Sequence, residues 1–250
     1  MAERPCVLLH GWGMCDQVWE AVPAAVWEGL APQTLALPGH SGIPLPAGRA
    51  DLEGWTEDCL ARAPQAAIWL GWSLGGLIAL AAALQSPERV QALVLVAASP
   101  RFIQAPDWLA AMPEQTLDRF HAELLTEPQE TLNRFLALQV RGGSEPQSTL
   151  RRLKQAIAAA PAPNPRALEI GLEILRQVDL RSRLQEIRCP LLWVLGGRDA
   201  LVPVRVGERI AELAPRAQVQ VIPDAAHAPH LSHPQPFGAN LNALVSRLRP

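Results

Sequence analysis

The chain predicts an α/β fold: a mostly parallel central sheet flanked by helices, with a helical segment inserted between two of its strands. Three observations carry the prediction. Short apolar runs near residues 6–9, 34–37, 66–70, 92–97, 190–195 and 218–222 read as buried strands. Apart from one long interval they are spaced by helix-length segments, the βαβ rhythm of a parallel sheet. That interval, 101–187, shows helical patterns broken at Pro113, Pro128, Pro146 and the cluster Pro161-Ala162-Pro163-Asn164-Pro165, and no strand signal. No repeat or low-complexity linker divides the chain, so residues 1–250 are expected to form one domain with 101–187 as a helical cap within it.

Taken in order, the strand Cys6 to Leu9 runs into His10-Gly11-Trp12-Gly13, a glycine-rich turn whose backbone N–H groups can face an anion. The strand at 34–37 ends in Pro38-Gly39-His40-Ser41-Gly42, which puts His40 near the same cleft without assigning it a role. The run Ala66 to Leu70 leads into Gly71-Trp72-Ser73-Leu74-Gly75 and then Gly76-Leu77-Ile78-Ala79-Leu80. A strand that reverses into a helix within one residue strains the serine backbone, and side chains two positions either side would collide; glycine removes those collisions. The turn lifts the Ser73 hydroxyl above the sheet and leaves the N–H of Leu74 free in the helix's first turn. Residues 66–84 are uncharged, long enough for a membrane span, and carry Gly71 and Gly75 in GxxxG spacing. The split into a β-favouring half and an alanine-rich half, followed by another short apolar run, supports a buried strand and core helix instead.

After the strand at 190–195 comes Gly196-Gly197-Arg198-Asp199, an acid just past the C-terminal end of a strand, where open α/β sheets build their sites. After 218–222 comes Pro223-Asp224-Ala225-Ala226-His227, a histidine past the last strand. Ser73, Asp199 and His227 stand in the chain order of α/β-hydrolase triads. Asp224 is a rival acid, and Asp199 is preferred because that order puts the acid on the preceding strand. His227, His230 and His233 also spell HxxHxxH, but no cysteine lies nearby in sequence to complete a structural zinc site, so no metal is expected. The N–H groups of Trp12 and Leu74 complete the set as an oxyanion hole for acyl transfer.

Composition agrees with a soluble enzyme. The net charge of −2 gives no global attraction to nucleic acid or to an anionic membrane. Cys6, Cys15, Cys59 and Cys189 lie far apart with no CxxC pair, as buried thiols do. The N-terminus, Met1 to Pro5, lacks a basic region and is followed only by the short apolar stretch Val7 to Leu9, so no signal peptide is read and a cytoplasmic monomer is expected.

Beyond these motifs, the chain resembles a known family over nearly its whole length. The residues that carry the resemblance are Leu8 to Gly13, Ile68 to Gly76, Pro87 to Val94, Arg134 to Gln139, Gly171 to Leu175 and Ala225 to Pro229. They look like those of the pimeloyl-acyl-carrier-protein methyl ester carboxylesterases of biotin synthesis. The resemblance implies an α/β-hydrolase fold and cleavage of the methyl ester of a pimeloyl chain on acyl-carrier protein, with no cofactor. It implies Ser73 as nucleophile, His227 as general base and then acid, Asp199 as the orienter of the imidazole, and Trp12 and Leu74 as oxyanion donors. Phe135, Leu136, Ala137, Leu138 and Gln139 would line the acyl channel. Two alternatives are a cofactor-free hydrolase of small esters or another carbonyl substrate, and a non-catalytic ligand-binding member of the fold. Antiparallel strands common at the start of this fold are expected to be shortened or missing.

The cap's charge is divided. Residues 107–130 hold six acids and one arginine, net −5, and residues 131–168 hold six bases and one acid, net +5. A basic surface carrying Arg134, Arg151, Arg152 and Lys154 could steer an acidic carrier protein to the site. Pairing of the basic half with the acidic half explains the same pattern equally well.

Overall fold

The computed structural model describes residues 3–248, so Met1, Ala2, Arg249 and Pro250 of the expected domain lie outside the described residues. Its frame is a six-stranded sheet of β1 (Arg4–Leu9), β2 (Leu30–Leu35), β3 (Ala67–Trp72), β4 (Val90–Val96), β5 (Leu191–Gly196) and β6 (Gln218–Ile222). The order is β2-β1-β3-β4-β5-β6, and every pairing among the described residues is parallel. The chain first steps outward from β1 to β2, then crosses back to β3 on the other side. That reversal opens a crevice beyond the C-terminal ends of β1 and β3.

Alternation along the strands divides the core into two layers. Val7, Leu9 and Trp69 face one side, with Leu77, Ile78 and Trp55; Cys6, Leu8, Ile68 and Leu70 face the other, with Phe237 and Leu241. Each such leucine, isoleucine or valine side chain contributes about 1.5–3 kcal/mol by leaving water. Helices α1 (Leu52–Arg62) and α2 (Leu74–Gln85) supply the first layer, and α9 (Pro234–Val245) the second. Helix α7 (Val206–Leu213) covers β6, and the short α8 (Pro229–Ser232) leads into α9. No helix among the described residues is long and apolar enough to cross a membrane.

Sequence and structure part at β2. The apolar run at 34–37 marks a strand, yet the strand is Leu30–Leu35, with the middle of it exposed. An edge strand needs no continuous apolar signal, and Ala36 and Leu37 are buried for another reason: they belong to the loop beside the crevice.

Between β4 and β5 lie α3 (Glu114–Thr126), α4 (Pro128–Val140), α5 (Pro146–Ala159) and α6 (Pro165–Gln177). The prolines that interrupt the pattern are starts rather than breaks: Pro128, Pro146 and Pro165 occupy the first turn, where a missing N–H costs nothing. The two ends of this segment meet. Leu180 N–H donates to Pro100 O at 2.9 Å, and Arg101 pairs with Asp179 at 3.1 Å.

Candidate active site

At the turn between β3 and α2, Ser73 has φ 55° and ψ −118°, a conformation an L-residue adopts only when its surroundings enforce it. They do. A Cβ on Gly71 would sit 2.2 Å from Gly75 O, and one on Gly75 would sit 2.5 Å from His10 O and 2.6 Å from Leu9 O. Ser73 N–H donates to Val96 O at 2.9 Å, so the turn is also hung from β4.

Three elements distant in sequence then converge. His227 Nε2 lies 2.9 Å from Ser73 Oγ, and His227 Nδ1 lies 2.7 Å from Asp199 Oδ2. The other carboxylate oxygen of Asp199 accepts N–H bonds from Leu201 at 2.8 Å and Val202 at 2.9 Å. All three residues are buried. A hydroxyl against an imidazole whose far nitrogen meets a fixed carboxylate can pass its proton to the ring as it attacks an electrophile. Asp224, the rival acid, is at the surface, paired with Arg198 at 2.7 Å.

Two residues that hold His227 carry no motif signal for that task. Trp72 Nε1 donates to His227 O at 2.7 Å, and Gln139 O accepts the His227 N–H at 2.9 Å. A backbone carbonyl is invisible to residue-type reasoning. Trp72 occupies a variable position of the serine motif, and its burial within an apolar strand was the only available hint.

The turn after β1 packs against the serine: a Cβ on Gly11 would come 3.2 Å from Ser73 Cβ. His10 anchors this turn, with Nδ1–H donating to Gly11 O at 2.8 Å and Nε2 accepting the Leu37 N–H at 3.0 Å. Burial, followed by the neighbouring His40, keeps the His10 ring well below its ordinary pKa. Trp12 is fully buried, and its Nε1 donates to Leu168 O on α6 at 2.8 Å. Phe135 of α4 meets the Trp12 ring edge-on, with centroids 4.7 Å apart.

The three histidines of HxxHxxH face three different surroundings. His233 sits beside Ser232 and Ser144 hydroxyls. His230 is caged by Trp19, Trp72 and Phe237, and neither ring nitrogen has a partner among the described residues. Burial, followed by the charge of His227, pushes the His230 pKa down to about 3, and burial pushes His40 down to about 4. The unfolded chain binds a proton below about pH 6.5 that the folded chain refuses, so stability is full above that pH and falls toward pH 3. We expect His230→Phe to flatten this loss by ~1.4 kcal/mol per pH unit between pH 6 and 4, and to stabilise at pH 7 by removing unpaired polar atoms. Urea unfolding at pH 7 and pH 5 measures both; an unchanged slope would refute the account.

Helix phase divides the stretch Phe135–Gln139. Phe135, Leu136 and Gln139 are buried, whereas Ala137 is exposed and Leu138 half-buried, looking outward with Arg134 and Arg141. The basic residues are scattered too. Arg134 pairs with Glu123 at 3.1 Å, Glu127 at 3.6 Å and Glu130 at 3.9 Å, and Arg152 donates to Leu231 O at 2.8 Å. Arg151 and Lys154 are exposed and make no ion pair among the described residues.

Residues 5–234 match the model of the alpha/beta hydrolase fold family. A pimeloyl-[acyl-carrier protein] methyl ester esterase of Klebsiella pneumoniae is 43% identical over 242 residues, 97% of this chain and 93% of the relative. Its counterpart in Photobacterium profundum is 41% identical over 239 residues, covering 96% and 93%. A solved bromoperoxidase from Bacillus anthracis superposes with a TM-score of 0.87, covering 98% of this chain and 92% of that one, and at 22% identity it speaks to the fold alone. With that family match, and with such identity over nearly the whole of both chains, the chain belongs to the α/β-hydrolase fold and, within it, to the family of pimeloyl-[acyl-carrier protein] methyl ester esterases.

Proposed function

We propose that this protein is a serine carboxylesterase that hydrolyses the methyl ester of pimeloyl-acyl-carrier protein, releasing methanol and the free carboxylate for biotin synthesis. The observation that carries the mechanism is the unbroken line from Ser73 Oγ through His227 to Asp199, at 2.9 and 2.7 Å. The relatives' printed substrate supports the choice of ester. Ser73 attacks the ester carbonyl while His227 Nε2 takes its proton, and Asp199 holds Nδ1–H and the imidazolium that forms. Charge on the carbonyl oxygen is met by the N–H groups of Trp12 and Leu74, the latter free because it opens α2. Methoxide leaves with the proton from His227. Water, activated by the same ring, then releases the acid. The chemistry needs no metal or organic cofactor.

The helices between β4 and β5 serve as a cap, residues 101–187 in all, with Phe135, Leu136 and Gln139 facing the acyl chain. Ala137 and Leu138 belong to its outer face, which Arg134 shares. We read the chain as cytoplasmic and as a monomer; light scattering of the purified protein tests the second of these, and fractionation of expressing cells the first. Complementation tests the function: a biotin-requiring strain lacking its own esterase should grow without biotin when given this protein and not when given Ser73→Ala. Failure of the unaltered protein to restore growth would overturn the reading.

Of the four cations named for carrier contact, the role falls to Arg151 and Lys154, which make no ion pair among the described residues. Arg151→Glu and Lys154→Glu are expected to raise KM for the carrier-bound ester by about three- to tenfold and to leave a small free methyl ester unaffected, as loss of steering does. Equal changes on both substrates would exclude these two residues as carrier contacts. Arg152 is a poorer test, because its guanidinium holds the Leu231 carbonyl.

A further inference from the structure

Glycine is the poorest helix former after proline, so a glycine in the middle of α6 calls for a packing reason. At Gly171 the reason is specific. A Cβ there would lie 2.6 Å from Trp12 Cδ1, 3.1 Å from Trp12 Nε1 and 3.1 Å from Leu74 Cδ2. Those side chains belong to the two residues proposed above as the oxyanion donors. One turn earlier on α6, Leu168 O accepts the Trp12 indole N–H at 2.8 Å, and Phe135 of α4 packs edge-on against the same ring with centroids 4.7 Å apart.

We infer that Gly171 is a positioning residue for the reaction: the bare helix backbone it exposes, together with the Leu168 carbonyl, seats Trp12 and Leu74 so that their N–H groups converge. The inference rests on the acyl-transfer reading of the site. Trp12 is packed by α6 and α4, which sets its main chain from its side chain. Leu74 directly follows the strained Ser73, so a push on its side chain also turns the N–H that faces the substrate. Gly171 carries no side chain, so it contributes no group to the acid-base line through His227.

The test is Gly171→Ala, assayed with a small methyl ester and with phenylboronic acid, whose adduct on Ser73 places an oxygen where the oxyanion forms. We expect kcat to fall about 10- to 100-fold, as for a donor misplaced by up to about an ångström and short of the roughly 100- to 1,000-fold that outright loss of one donor costs, with KM within about twofold. The inhibition constant for the boronic acid should rise by the same factor while the pH profile holds, and the thermal midpoint should fall by only a few degrees, as overpacking against a buried ring does. A merely structural role would lower the midpoint too, but would raise KM without selectively weakening the boronic acid, and that outcome would overturn the inference. Should Gly171→Ala not fold, Trp12→Phe keeps the main-chain N–H, removes the bond to Leu168 O, and is expected to show the same signature. If phenylboronic acid fails to inhibit the unaltered protein, or Ser73→Ala stays active, the acyl-transfer reading fails. If it inhibits the unaltered protein and Gly171→Ala with equal affinity, only the role of Gly171 fails.

Discussion

Ser73→Ala is expected to lower kcat about a millionfold while the protein folds as before, because the hydroxyl contributes chemistry and no essential packing. Asp199→Asn should cost about ten thousandfold, and for a different reason. In the native site, one Asp199 oxygen is occupied by the N–H groups of Leu201 and Val202, so the other must meet His227 Nδ1. An asparagine keeps its oxygen on those two N–H donors and turns its NH2 toward the ring. Nδ1 must then accept, the proton moves to Nε2, and the imidazole can no longer take one from Ser73. Steady-state rates on a methyl ester, with circular dichroism of each variant, measure the contrast. An Asp199→Asn protein within tenfold of the unaltered kcat would mean that Asp199 does not set the tautomer.

The second large effect is on folding. Gly71→Ala places a methyl 2.2 Å from Gly75 O and 2.6 Å from Gly76 N, and Gly75→Ala places one 2.5 Å from His10 O. All of these are main-chain atoms of the sheet end and the turn, which no rotamer change can move. Each substitution is expected to destabilise by about 3 kcal/mol or more, which lowers Tm by roughly 10 °C in a chain of this length. Gly48→Ala is the control: nothing lies within 4 Å of its Cβ, and the change should be neutral or mildly stabilising. Calorimetry of the three variants ranks them. If Gly75→Ala melts with Gly48→Ala, the strained turn is not what the two glycines protect.

The collision that glycine relieves was legible at the sequence level because it depends only on how tightly a strand can turn into a helix. Strands β3, β4 and β5 were legible for a similar reason, since a strand covered on both faces writes a continuous apolar run. β2 was displaced because an edge strand writes no such run, and the apolar signal came from Leu35, its last residue, together with Ala36 and Leu37 of the buried loop that follows. Ser73, Asp199 and His227, distant in sequence, come together in space, whereas the side chain of Asp224 turns away to Arg198. Helix phase was the harder problem. A stretch of five residues cannot face one channel, and α4 turns Ala137 and Leu138 away from Phe135 and Gln139. The contacts made by main-chain atoms, Gln139 O to His227 and Leu168 O to Trp12, have no residue-type signal at all.

The charge pattern shows the same limit. The division of the helical segment into acidic and basic halves is real, yet a sum over residues does not say who pairs with whom. Arg134 reaches back to three glutamates of the acidic half, Arg152 turns into the fold, and only Arg151 and Lys154 among the four remain free among the described residues.

Methanol release from purified pimeloyl-acyl-carrier protein methyl ester tests the central claim most directly. One methanol and one free carboxylate per ester consumed are expected with the unaltered protein, with a transient acyl group on Ser73 visible by mass spectrometry and no methanol from Ser73→Ala. No release by the unaltered protein, or equal release by Ser73→Ala, would contradict it.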